Sequence, residues 1–420
     1  MNVIKLFWHC CLLCLIAPYA RPQSGVTVPV DENGSSFYVD ADRTVNQLYW
    51  ANGWLNANLT AATQSPARVA QGTSLVLADG CVYFVCADQT INQLYVANGQ
   101  WVYANLTTAA QTTARVAPGT NPVVANGAVY FVGTDGAVDQ LYVATGQWVC
   151  ANFMTATQTT ARVAAGTNLV VVDGLVYFIS TDHTVGQIYW LTTGQPVCAD
   201  LMVAAQTPFR VASGTNLTIA DGAVYFVGAD GAVDQLYIAS GQWTSVNLMT
   251  AAQTAARVAP GTNPTVSDGS VYFVGTDQTV DQLYVVSGQW VYANLITIAQ
   301  TTARVASGSN LVMIGGFLYF VGTDRVVDEM YVVNGQWVCA NLMAASQTTA
   351  RIAPGTYLTV LDGLIYFIGT DQAIDQIFWS ATGQPLVANL MTSSGTSERV
   401  DLTYFTEYVY FNNQVLAIER

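Results

Sequence analysis

The residues able to do chemistry in this chain form three series, each holding one position in a repeat. Aspartate recurs as Asp42, Asp88, Asp135, Asp182, Asp230, Asp277, Asp324 and Asp371. Four residues later stand Asp139, Asp234, Asp281, Asp328 and Asp375, while Asn46, Asn92 and Gly186 break that second series. A carboxylate beside a glycine-rich turn accepts backbone N–H bonds, and turn stabilisation is the role these positions predict. Paired carboxylates also suggest calcium, but the loop lacks the run of alternating oxygen ligands that a strong site uses.

Arginine forms the second series, Arg68, Arg115, Arg162, Arg210, Arg257, Arg304, Arg351 and Arg399. Its regularity reads as architecture: a guanidinium clasping a turn aspartate of the same or the adjacent unit in bidentate fashion. The functional counterpart is an arginine offered to sugar hydroxyls, for which Arg68, Arg115 and Arg162 are candidates. Tryptophan is the third series, Trp54, Trp101, Trp148, Trp243, Trp290 and Trp337. An indole can stack on the apolar face of a sugar while its N–H stays free to bond. In two copies the tryptophan moves to Trp190 and Trp379 while Pro196 and Pro385 enter the neighbouring strand. That exchange suggests volume compensation across a hairpin, and so packing.

Enzymatic constellations are missing. Beyond the N-terminal stretch the chain has one histidine, His183, and no lysine, which removes Schiff-base chemistry and most nucleophile–base pairs. A carboxylate-pair hydrolase stays open on composition alone, but no copy carries an isolated polar cluster, and the reading is non-enzymatic.

These residues are positioned by a repeat of roughly 47 residues, inside the range of propellers and solenoids. Its template is Val129-Tyr-Phe-Val-Gly-Thr-Asp-Gly-Ala-Val-Asp-Gln-Leu-Tyr142, then Gly146-Gln-Trp-Val-Cys-Ala-Asn152, a polar spacer and a short apolar run. Tyr49, Tyr95, Tyr142, Tyr189, Tyr237, Tyr284, Tyr331 and Phe378 mark eight copies. Each supplies four short strand-type runs with turn chemistry between them, such as Asn126-Gly127. Four antiparallel strands in meander order make one propeller blade. Helical periodicity is absent. The predicted fold is all-β, a β-propeller of eight blades spanning residues 25–400, with seven or nine as alternatives. Copies two and six share Gln-Trp-Val-Tyr-Ala-Asn, and copies three and seven share Gln-Trp-Val-Cys-Ala-Asn, so a four-unit block has been duplicated. Residues 401–420 resemble the opening strands of a ninth copy and are expected to close or cap the ring.

The N-terminus reads as a secretory signal peptide over residues 1–20: Lys5, an apolar run to Ile16, then small residues near Ala20. The mature protein is expected to be extracellular, without a membrane span. The net charge of -14 disfavours nucleic acid and anionic membranes as partners. Five cysteines remain after the leader: Cys81 and Cys86, which should face opposite sides of one strand, and Cys150, Cys198 and Cys339, which share a template position. Their spacing shows no zinc pattern. Asn33, Asn58, Asn105 and Asn216 stand in glycosylation sequons.

The run Thr134–Tyr142 followed by Gly146-Gln-Trp148 and Asn152-Phe-Met-Thr-Ala156 resembles the repeat of bacterial fucose-binding β-propeller lectins of the Photorhabdus type. The first copy is nearest, with Asp42-Arg-Thr-Val-Asn-Gln-Leu-Tyr-Trp50, Asn52-Gly-Trp54 and Asn58-Leu-Thr-Ala-Ala-Thr63. The resemblance implies sugar pockets between blades and adds Trp50 to the candidates, although most copies carry Tyr-Val or Tyr-Ile where the first has Tyr49-Trp50. The expected function is multivalent, cofactor-free binding of glycans or glycoproteins. The rival is a structural acidic protein of an extracellular or mineralised matrix, such as a shell, egg coat or adhesive.

Overall fold

The computed structural model describes residues 30–31, 34–361, 363–402, 410–411 and 414–415. The leader expected over residues 1–20 and the sequon residue Asn33 lie outside the described residues.

Eight antiparallel sheets form an eight-bladed β-propeller. In the third blade the strands are Val123–Ala125, Ala128–Val132, Val138–Ala144 and Gln147–Asn152, in that spatial order from the inside outward. The first blade has three strands, Ser36–Val39, Val45–Trp50 and Trp54–Asn58, and its inner strand is reduced to one bridge between Val30 and Ser36.

The template follows from this register. Tyr177 pairs with Gln187, and Gln187 Nε2 bonds the Tyr177 hydroxyl at 2.9 Å; Tyr83–Gln93 and Tyr225–Gln235 do the same. The tyrosine thus buries its ring while its hydroxyl stays satisfied. Alternation sends Tyr130 and Val132 toward the fourth blade, where they meet Val176 and Phe178, and sends Val129 and Phe131 toward the second. Both faces of a blade are therefore core, and each fully buried phenylalanine contributes roughly 1.5–3 kcal/mol.

The ring closes with the hydrogen bonds that join every other pair of blades. Between blades three and four, Val163 N–H donates to Gly136 O at 2.8 Å and Ala164 N–H to Ile179 O at 2.8 Å. Between blades eight and one, Val400 N–H donates to Gln372 O at 2.9 Å and Asp401 N–H to Val39 O at 3.1 Å. Tyr366 and Ile368 share a core cluster there with Tyr38 and Leu48. Beyond residue 402 the described pieces, Tyr410–Phe411 and Gln414–Val415, pair with each other; the rest of the expected cap lies outside the described residues.

The fold also contains helix, which the sequence pattern does not predict. Each outer strand runs into a four-residue helix, as in Phe153–Ala156, where Asn152 Oδ1 caps Thr155 N–H at 2.9 Å. One turn is too short to show a period of three and four, but the Asn-Leu that ends most outer strands, with Asn152-Phe153 in blade three and Asp200-Leu201 in blade four, is an N-cap followed by a buried apolar residue.

Candidate functional site

The meander fixes which ends of the strands share a face of the ring. The turn between the second and third strands, the short helix and the spacer lie at one end, here called the turn face. The two hairpin turns, such as Asn126-Gly127 and Thr145-Gly146, lie at the other, the hairpin face.

At the turn face, each spacer arginine lies over the turn of the preceding blade. A Cβ on Gly136 would come within 3.3 Å of Arg162 Cβ and 3.5 Å of Arg162 Cδ, and Gly231 stands in the same relation to Arg257. The Arg162 carbonyl accepts from Thr181 N–H at 2.9 Å, so its backbone ties blade three to blade four. The clasp expected of the guanidinium is made by this backbone instead. Nη1 of Arg162 donates to the preceding carbonyl, Ala161 O, at 2.7 Å, and Arg68 and Arg115 do likewise at 2.8 Å. The arginine charge still reaches the turn carboxylates: among the influences that hold Asp42 below the usual range, after its hydrogen bonds to Asp40 and Thr44, is Arg68.

The turn aspartates act as read from sequence. Asp135 Oδ1 accepts Ala137 N–H at 3.0 Å, and Asp230 Oδ1 accepts Ala232 N–H at 3.0 Å. They remain exposed, whereas Asp139, Asp234, Asp281, Asp328 and Asp375 are buried. Burial, with the neighbouring turn aspartate as a lesser influence, pushes Asp139 up to about 6 and Asp234, Asp328 and Asp375 up to about 7; Asp281, also moved chiefly by burial, reaches about 6. Each pair closes over a glycine, with an added Cβ on Gly133 falling 2.6 Å from Asp139 Oδ2 and 2.7 Å from Asp135 Oδ1. Two carboxylates, one of them held toward its neutral form, are a short donor set for calcium, which takes six to eight oxygens. Among the described residues no three His, Cys, Asp or Glu side chains gather as metal ligands.

The tryptophans stand at the hairpin face. Val143 pairs with Trp148 at one end of the outer ladder and Asp139 with Asn152 at the other, about 13 Å apart at roughly 3.3 Å per residue. The structure therefore does not bring the tryptophan and arginine series together in one pocket. Trp101, Trp148, Trp243, Trp290 and Trp337 are half-buried and pack on the core shared with the preceding blade, as in Trp101 edge-on to Phe37 at 6.4 Å. Trp190 and Trp379 face Pro196 and Pro385 across the ladder, the register that volume compensation requires. Trp50 differs: it is 65% exposed and edge-on to Trp54 at 5.9 Å.

The sequon asparagines are structurally engaged. Asn58 and Asn105 are helix caps whose Nδ2 atoms donate to Thr44 Oγ1 at 2.7 Å and Thr90 Oγ1 at 3.1 Å. Asn216 is 1% exposed, so a glycan could reach it only before the ring closes. It belongs to a ladder around the central axis: Asn121 Oδ1 accepts from Ser74 N–H at 2.7 Å, and Asn263 Oδ1 from Asn216 N–H at 2.7 Å. The recurrent Gly-Thr-Asn was its signal. All five cysteines are unbridged, and Cys81 and Cys86 join the cores on opposite sides of blade two. No helix among the described residues is long and apolar enough to cross a membrane.

No family model and no curated protein matches this chain. Among solved structures it is similar to the computationally designed Ika8 protein, at 18% identity and a TM-score of 0.49, covering 87% of this chain and 96% of that one. BamB from Moraxella catarrhalis is 14% identical with a TM-score of 0.46, over 86% and 96%. The fucose-specific lectin from Aleuria aurantia is 15% identical with a TM-score of 0.35, over 64% and 93%.

Proposed function

We propose that this protein is a secreted, non-enzymatic propeller that binds carbohydrate multivalently through the arginine–aspartate junctions of its turn face. The observation that carries this reading is the fixed placement of each guanidinium. One N–H is anchored on the preceding carbonyl, and the aliphatic stem rests on a turn that carries an exposed carboxylate, whose charge Arg68 and Arg115 are near enough to feel at Asp42 and Asp88. A planar donor fork beside an acceptor suits a pair of neighbouring sugar hydroxyls, and both groups are ordered before the ligand arrives. Each junction would bind weakly. Repetition round one face supplies the avidity.

A glycan array probed with the mature protein, with free fucose as competitor, tests this. Binding is expected, and the triple variant Arg68→Gln, Arg115→Gln, Arg162→Gln should lower the retained signal while circular dichroism stays unchanged. Failure of the folded wild-type protein to hold any glycan would overturn the reading and favour a structural acidic matrix protein.

A further inference from the structure

The hairpin face carries a second, unrelated chemistry. Of the exposed large apolar side chains among the described residues, all but Val203 and Ile298 lie toward this end of the strands. They are densest on the adjacent blades six and seven, at Val285, Val286, Val332, Val333, Ile314 and Phe317, each 40–50% exposed. Here the repeat departs from itself. Where other copies turn through Asp-Gly or Asn-Gly between small or aliphatic residues, blade seven has Ile314-Gly315-Gly316-Phe317, and Phe317 lies against Tyr331 at 5.7 Å between ring centroids. The hairpin face is also electrically one-sided. Asp79, Asp173, Asp221 and Asp268 occupy its inner turns, and every described arginine lies at the turn face.

We infer that the hairpin face of blades five to seven docks a basic, amphipathic polypeptide, its apolar side covering Phe317 and the paired valines of blades six and seven and its cations meeting Asp221 of blade five and Asp268 of blade six. Apolar surface gathered in one place marks an interaction site, and the charge around it chooses among occupants. A second copy docked hairpin face to hairpin face would set aspartates against aspartates. A second copy docked by its turn face would bring arginines but little apolar surface to cover the patch. A lipid surface would strip water from the carboxylates and return nothing to them. Only a partner that is both apolar and cationic satisfies both features.

The probe is an amphipathic leucine–lysine helical peptide, with its leucine–glutamate counterpart as control, followed by fluorescence anisotropy on the full mature chain. The lysine peptide should bind and the glutamate peptide should not. Phe317→Ser, an exposed position whose change should leave the ring folded, should weaken binding about tenfold. Asp221→Asn with Asp268→Asn should weaken it about fivefold at low salt, and less at high salt. Ile298→Ser, an exposed apolar residue at the opposite face, should change nothing. Binding that ignores Phe317→Ser, or is shared by the glutamate peptide, overturns the inference. So does concentration-dependent self-association that Phe317→Ser abolishes, or binding to phosphatidylcholine vesicles with none to the peptide.

Discussion

The hydroxyl of Tyr38 lies 2.6 Å from Oε2 of Glu398, joining the first blade to the spacer that follows the last. Asn56 Nδ2 donates to the same oxygen at 2.6 Å, and Asn56 Oδ1 is 2.9 Å from the Tyr38 hydroxyl. All three residues depart from the template. Tyr38 stands where other blades have phenylalanine, Glu398 replaces the alanine before the spacer arginine in most copies, and Asn56 takes the position of Cys150. The seam between the chain's two ends thus carries a Tyr–Asn–Glu contact built from residues that the other copies do not have at these positions.

Breaking this contact should loosen the ring at its seam. Glu398→Ala leaves Tyr38 and Asn56 without their shared acceptor and is expected to lower stability by about 2 kcal/mol. Tyr38→Phe restores the residue type of the other blades and should lower it by about 1 kcal/mol. Urea denaturation of both variants checks the order; equal loss from both would assign the effect to Tyr38 alone.

The glycine beneath each carboxylate pair should tolerate a side chain only if the buried aspartate is removed. Gly133→Ala places a methyl against Asp135 and Asp139 and is expected to destabilise by about 2 kcal/mol. Asp139→Asn in the same chain should recover part of that loss. The repeat has made this pairing itself, with Asp40, Cys86 and Ser180 in place of the glycine and Asn46, Asn92 and Gly186 in place of the aspartate. Additive effects in a double-mutant cycle would show that the positions are independent.

Stability should fall as pH rises from about 4 to about 7. Six buried aspartates, Asp40 and the five of the second series, are held up to about 6 or about 7, above the unfolded value near 3.9, so the folded chain binds more protons than the unfolded chain in that window. Their contribution is complete below about pH 4 and is lost as pH passes 6–7. Asp42 and Asp182 are held low, chiefly by hydrogen bonds from Asp40 and Ser180 respectively, and their contribution is lost on further acidification. Melting temperature should therefore peak in the mildly acidic range, and replacing the six buried aspartates by asparagine should flatten its alkaline side. A wild-type melting temperature that climbs from pH 4 to pH 7 would contradict this account.

The tryptophans should divide by exposure. Trp337 sits edge-on to Tyr272 at 6.4 Å within a core cluster, and Trp337→Ala is expected to destabilise by about 3 kcal/mol. Trp50→Ala should change stability by less than about 0.5 kcal/mol. If Trp50 contributes a stacking surface for sugar, its loss will appear in glycan binding and not in the melting curve.

The sequence by itself determined the blade and the roles of the turn aspartates, and it favoured eight blades over seven or nine. These rest on a period-two alternation, on turn residues and on repetition, all local or additive along the chain. The exchange of tryptophan with proline across a hairpin was legible for the same reason, because strand register follows from turn length. Only the tertiary structure decided what meets what. Arginine and tryptophan share a repeat, yet a strand's length separates them because they occupy opposite ends of one ladder. The guanidinium answers to the carbonyl beside it, while the spacer backbone joins the blades. Glu398 reads as an ordinary surface residue until the ring closes and carries it to Tyr38, 360 positions away in the chain. Such contacts depend on the curvature by which eight similar blades return to their start, and no single repeat contains that quantity.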